Sequence, residues 1–361
     1  MEEKKTTVHR DRSIDVGRGL LVILMVYAHM LQFFADAQIF PLAGRLIEAA
    51  NLTVFPTFVF YFGVTAVLAY LGKPYRRALP GMAKTALRAY GAFVLSGVGF
   101  RVLRENVTFG PGTVRRVLQL KDIPGWSEFL IAFAGYALVL MVLFPLLRRM
   151  ADKPLWTLGA GVLCLLGTVV IPYSKVDSVH LALLIGGRQF SYFPVLQYMP
   201  YFLAGMVYAR GSKGVRLALL GVAVLGTAAG GIYTAMAGMP GRFPPSLAWV
   251  VFSGLNVAIV VLAGRGLYMA AGSGWRMAFE AICRMLAHLG SRSLYYLLGS
   301  NLVIFTLAGK NIVPMISRKS VLPWTLPIQS TQGAAWWTVV LFIALWFVAL
   351  LAGHGGKAAK V

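Results

Sequence analysis

The chain has 361 residues, 58% of them hydrophobic and only 13% charged, with a mean hydropathy of +0.72. That apolar excess excludes a soluble domain and reads as a polytopic membrane protein. The net charge of +22 does not imply nucleic acid, because Lys and Arg are spread between apolar runs and not gathered in one tail or stripe.

Apolar runs long enough to span a bilayer fall at residues 17–35, 52–71, 87–103, 128–147, 155–173, 190–209, 215–236, 247–263, 293–308 and 334–352, each bounded by charge, Gly or Pro. They predict an all-α polytopic bundle of about ten transmembrane helices, one membrane domain over residues 1–361. Residues 1–16 and 353–361 are the expected tails. If the first tail is cytoplasmic, 22 of the 34 Lys and Arg residues lie inside, which favours both termini in the cytoplasm of a plasma (inner) membrane. The first run lacks a small-residue cleavage pattern and carries Asp15, Arg18 and His29 at its start or within it, so it reads as a retained helix.

Arg18 and His29 are eleven residues apart. At about 100° per residue that is three turns plus about 20°, so both share one face, separated along the axis by about 16 Å. This places Arg18 near one membrane surface and His29 near the bilayer centre, where an ionisable group is a functional candidate by default. Asp15, Gln32 and Asp36 fall on the same stripe, within about 60° of His29. Asp15 precedes Arg18 by one turn and is placed to hold its guanidinium. Val22, Leu24 and Phe33 are left to face lipid or apolar neighbours. The ordinary pKa of histidine, about 6.5, suits His29 to proton transfer.

Further along, the segment from Arg104 to Trp126 is expected outside, capping an acceptor entrance; Ser174 to Gln189 and Gly309 to Gly333 are the other long outer loops. Asn51-Leu52-Thr53 and Asn106-Val107-Thr108 match glycosylation sequons on that side. Cys164 and Cys283 have no paired spacing and imply neither a disulfide framework nor a metal site. Between Arg265 and Leu289, the apolar residues Trp275, Phe279, Ile282 and Leu286 recur at helical spacing, which predicts an amphipathic interfacial helix with an anchoring role.

The segment Arg12-Ser13-Ile14-Asp15-Val16-Gly17-Arg18-Gly19 through His29 resembles the start of the transmembrane acyltransferases, which include the acyltransferase 3 proteins and heparan-alpha-glucosaminide N-acetyltransferase. In acyltransferase 3 members an Arg, ten residues and a His form the defining motif, matched here by Arg18 and His29. Phe58-Val59-Phe60-Tyr61-Phe62-Gly63 is similar to the aromatic-Gly segment of the second helix, with Phe62 where a Ser is common. Tyr75-Arg76-Arg77-Ala78-Leu79-Pro80 is similar to the basic turn that follows. The stretch from Phe193 to Met206 resembles a helix entry of the heparan-type relatives. Gly290-Ser291-Arg292-Ser293-Leu294-Tyr295-Tyr296-Leu297 resembles a late-helix segment; many members follow it with a His, and this chain has Ser300 and Asn301.

The resemblance implies acyl transfer from cytoplasmic acyl-CoA, most commonly acetyl-CoA, to a hydroxyl or amine of a cell-surface or lipid-linked saccharide, with no metal. His29 and Asp15 become the candidate catalytic residues. Arg18, Arg76 and Arg77 become the candidate donor-binding residues, since Arg forks bind phosphate oxygens bidentately. His29 suits either a general base or a nucleophile that forms a transient acyl-imidazole. Asn301, Ser300, Tyr296 and Gln197 are candidate oxyanion stabilisers. A competing reading is a transporter or flippase of a glycan or lipid-linked intermediate, with Arg18 and His29 as its binding or proton-relay pair.

Overall fold

The computed structural model describes residues 11–35, 40–190, 192–271, 276–309 and 330–351. Among the described residues the regular structure is helical, apart from one isolated bridge between Arg242 and Pro245. The helices are α1 (Arg12–Phe34), α2 (Pro41–Ala66, extended by a π turn, Val67–Leu71), α3 (Tyr75–Gly99, extended by Phe100–Arg104), α4 (Pro111–Leu118), α5 (Glu128–Val142), α6 (Phe144–Met150), α7 (Pro154–Val170), α8 (Val179–Ile185), α9 (Val195–Arg210), α10 (Lys213–Ala237), α11 (Leu247–Phe252), α12 (Gly254–Ala271), α13 (Arg276–Ser291), α14 (Ser293–Leu307) and α15 (Thr331–Leu351).

Their starts follow local chemistry. Asp11 caps α1 by accepting from the Ser13 N–H at 3.0 Å. Pro41, Pro111 and Pro154 open α2, α4 and α7, where the missing N–H costs nothing.

All ten expected apolar segments fall on helices, but ten spans are not found. Six described helical stretches are long and apolar enough to cross a bilayer, and the pair α5–α6, bent by 82°, makes a seventh if it counts as one. The helices α7, α9 and α14 have 17, 16 and 15 residues. At 1.5 Å per residue they reach about 26 Å or less, short of a hydrocarbon core of about 30 Å. Hydropathy counts apolar residues; it does not see that α7 stops before Pro172, that α9 starts only after Pro194, or that Arg292 separates α13 from α14.

The central element is α1, enclosed by α2, α12, α13, α14 and α15. Val22, expected to face lipid or apolar neighbours, is fully buried, and Phe33 packs against Trp126 and Phe305 with ring centroids 4.5 and 5.9 Å away. The segment expected as an interfacial helix begins inside α12 and continues in α13, which docks on α1. Backbones approach closely there: a Cβ on Gly19 would lie 2.1 Å from the Leu286 carbonyl oxygen, and one on Gly290 1.8 Å from that of Asp15. The inward residues of α13 are Cys283, Leu286 and Leu289, whereas Ile282 is 44% exposed; Trp275 lies outside the described residues. Packing against α1, not the amphipathic stripe alone, selects this face.

The two aromatic segments that carried the family resemblance meet in space. Gly63 on α2 faces the Phe202 carbonyl and Gly205 on α9 faces the Phe60 carbonyl, so that a Cβ on either would lie 1.9 or 2.1 Å from that oxygen. Such small-residue contacts let helices associate where the hydrophobic effect cannot drive them. Around them Phe55, Phe58, Phe129, Phe133, Phe193 and Tyr198 form edge-to-face pairs that join α2, α5 and α9. Gly63→Leu or Gly205→Leu is therefore expected to cost more than about 3 kcal/mol, the upper range of overpacking. Size-exclusion profiles of detergent-extracted protein check this: monodisperse wild-type, aggregated variants.

Candidate active site

The Asn301 amide on α14 fixes the imidazole of His29. Its Nδ2 donates to the Trp126 carbonyl and to Ser96 Oγ, both at 3.3 Å. A carbonyl only accepts, so the amide's other end, Oδ1, faces His29 Nδ1 at 2.9 Å. Oδ1 cannot donate, so Nδ1 carries the proton and Nε2 keeps its lone pair. Ser96 and Asn301 are buried, and the bonds tie α1, α3, α14 and the loop before α5 to one side chain.

Trp126 holds this arrangement at a strained position. Its φ of 60° lies in the left-handed region, unfavourable for a bulky residue and concentrated at functional sites. That conformation turns its carbonyl to Asn301 while its indole N–H donates to Gln32 Oε1 at 3.0 Å.

His29 opens onto a cavity of about 300 Å³. Its wall is built by Met25, Ala28 and Gln32 of α1; Ala50, Asn51, Val54 and Phe55 of α2; Gly125, Trp126, Glu128 and Phe129 at the start of α5; Tyr192 and Phe193 before α9; and Arg242 and Phe243 in the loop before α11. The cavity is thus mostly apolar and rich in aromatic rings, with a few convergent polar groups, as ligand sites are. Its charged members are Glu128, 5% exposed, and Arg242, whose guanidinium sits 4.4 Å from the Phe243 ring centroid. Burial pulls the Arg242 pKa below the ordinary arginine value, and the negative charges of Glu48 and Glu128 oppose that shift.

The expected stripe on α1 is only partly assembled here. His29 and Gln32 line the cavity and Arg18 does not. The guanidinium of Arg18 donates to Thr65 Oγ1 at 2.6 Å and to the Tyr61 carbonyl at 3.4 Å, both on α2. Asp15 is buried at the same end of α1, 5% exposed; Asp36 lies outside the described residues. Along α1, which begins five residues before the apolar run, His29 stands about 8 Å from one helix end and about 26 Å from the other. Arg76 and Arg77 are exposed at the start of α3, at the Arg18 end of the α2–α3 hairpin. An open groove at that end is lined by Tyr75, Phe144, Pro145, Arg148, Arg149 and Asp152.

Of the four oxyanion candidates only Asn301 touches His29. Ser300 Oγ donates to Leu297 O, Tyr296 pairs with His288, and Gln197 bonds Tyr173 and Ile185 away from the cavity. Asn51, read as a sequon, lies within α2 on the cavity wall, where a glycan has no room; Asn106 is exposed in a loop. Sequence reasoning missed Glu128 and Arg242. An acidic residue opening an apolar run was a usable signal for Glu128; Arg242, in a Gly- and Pro-rich loop, offered none. Among the described residues no three His, Cys, Asp or Glu side chains gather as a metal site.

Residues 10–216 match the family model described as heparan-alpha-glucosaminide N-acetyltransferase, catalytic. The chain belongs to this family. The match includes Arg18, His29, Asn51 and Glu128 and ends before Arg242 and Asn301. The chain is also similar to proteins described as purine ribonucleoside efflux pump NepI. Those of Salmonella paratyphi B and Salmonella typhimurium are 28% identical over 170 residues, 45% of this chain and 42% of theirs. That of Salmonella enteritidis is 27% identical over the same length. The chain thus spans less than half the length of these curated relatives. Fold and family together give an acetyltransferase-like integral membrane protein.

Proposed function

We propose that the protein transfers an acetyl or other short acyl group from acyl-CoA to a hydroxyl or amine of a cell-surface or lipid-linked saccharide. The observation that carries this is the Nδ1–H···Asn301 bond at 2.9 Å, which leaves Nε2 of His29 as a base facing an aromatic cavity beside Trp126. Nε2 takes the acceptor proton as the oxygen or nitrogen attacks the thioester carbon. Collapse of the tetrahedral intermediate breaks the carbon–sulfur bond, and the proton goes to the leaving CoA thiolate. The alternative sequence, attack by Nε2 on the thioester and then transfer from the acyl-imidazole, uses the same tautomer.

In this reading the donor's phosphates bind at the Arg18 end, where Arg76 and Arg77 stand at the head of α3, and the pantetheine arm covers the roughly 16 Å of α1 between Arg18 and His29. Asp15 supports that end of α1. The Arg18 end faces the cytoplasm of a plasma membrane, with both termini inside. Arg18→Ala is expected to raise the KM for acetyl-CoA at least about tenfold, with the acceptor KM unchanged, because removing one charge-assisted phosphate contact costs about 1.5–3 kcal/mol. Initial rates over a matrix of donor and acceptor concentrations check it.

The deciding experiment incubates purified protein with acetyl-CoA labelled in the acetyl group and follows CoA release and labelled glycan or lipid. Release of CoA with a labelled acceptor is the expected result. The similarity to efflux pumps favours a second reading, transport of a glycan or a lipid-linked intermediate, which predicts movement across reconstituted vesicles with no CoA released.

A further inference from the structure

The cavity around His29 holds two hydrogen-bond donors that nothing in the described residues satisfies. Of the acceptors on its wall, Gln32 Oε1 takes the Trp126 indole N–H, the Glu128 carboxylate stands near the backbone N–H groups of Trp126 and Ser127 at the start of α5, and Nε2 of His29 is kept for the reaction. The two donors share that wall. Asn51 Nδ2 is buried without a hydrogen-bond partner. The Arg242 guanidinium rests on the rings of Phe243 and Trp249, at 4.4 and 5.9 Å, with no hydrogen bond or ion pair to its side chain among the described residues. Glu128 and Arg242 line the same cavity without bridging it. A buried amide N–H left unbonded is costly, and the half-buried guanidinium beside it on the cavity wall is placed to meet the oxygens of a ligand.

Building on the acyl-transfer reading above, we infer that the cavity selects an acceptor bearing an anionic oxygen group, carboxylate or phosphate, beside the hydroxyl or amine that is acylated, with Arg242 and Asn51 as the groups that bind it. The guanidinium fork matches either anion bidentately, and Asn51 donates to a further oxygen. The rings of Phe55, Phe129 and Phe193 face the apolar side of a sugar. Glu128, beside the backbone N–H groups at the start of α5, orients neighbouring hydroxyls.

Trp126 lines the cavity, so its fluorescence reports binding without donor or turnover. Full-length protein in nanodiscs is titrated with glucose, glucuronate, glucose 6-phosphate and glucosamine. Glucuronate, glucose 6-phosphate or both are expected to bind at least about tenfold more tightly than glucose, the two arms separating carboxylate from phosphate. Arg242→Gln removes that preference, Arg242→Lys keeps part of it, and Asn51→Leu reduces it. Equal binding of glucose and both anionic sugars, no saturable binding of either anion, tightest binding of glucosamine, or an equal loss for all four sugars in Arg242→Gln would each overturn the inference. Adding labelled acetyl-CoA to the same samples separates the two readings. Anion preference without CoA release sinks the transferase and leaves the selectivity; CoA release without anion preference does the reverse.

Discussion

Acetyl transfer falls by at least about 10²-fold in His29→Ala, the lower bound for removing a general base, and to background if Nε2 is the nucleophile. Expression and detergent behaviour persist, because the imidazole borders a cavity and its loss removes one bond to Asn301. Single-turnover CoA release with and without acceptor separates the two chemistries. A general base releases CoA only when acceptor is present. A nucleophile releases one equivalent without it and leaves labelled acetyl on the protein. Full activity in the alanine variant would remove His29 from the mechanism.

Asn301→Leu is expected to cost about 10²–10⁴-fold in kcat, with the acceptor KM nearly unchanged. The amide does not line the cavity; it acts through His29. Without Oδ1 the imidazole is free to protonate at Nε2, the atom that must carry the lone pair, and loss of tautomer control of this kind has a penalty of that order in hydrolase triads. Asn301→Asp keeps an acceptor opposite Nδ1 and restores part of the rate, although it gives up the donor to the Trp126 carbonyl. A merely structural role would show no such rescue and would lower the yield of folded protein in both variants.

The comparison of sequence with structure turns on α1. Its helical period put Arg18, His29 and Gln32 on one stripe, and a buried polar stripe was the correct reading, since other helices enclose α1. A shared stripe is not a shared site, however. Eleven residues of rise carry Arg18 to a part of α2 where Thr65 and Tyr61 take its guanidinium, while His29 reaches the cavity. Asn301 was one of four residues expected as a possible oxyanion stabiliser. Its observed bond makes it the group that orients His29, a role that depends on which end of the amide faces the Trp126 carbonyl.

Local patterns settled the class of molecule, the apolar helices and the imidazole worth watching, because hydropathy and the 3.6-residue period are properties of neighbours along the chain. The third dimension decided which helices are long enough to cross a bilayer, which tautomer His29 adopts, and that Glu128 and Arg242, separated by more than a hundred residues, border one space. Those outcomes rest on contacts between distant segments, close glycine backbones and one strained tryptophan, and no window of sequence contains them.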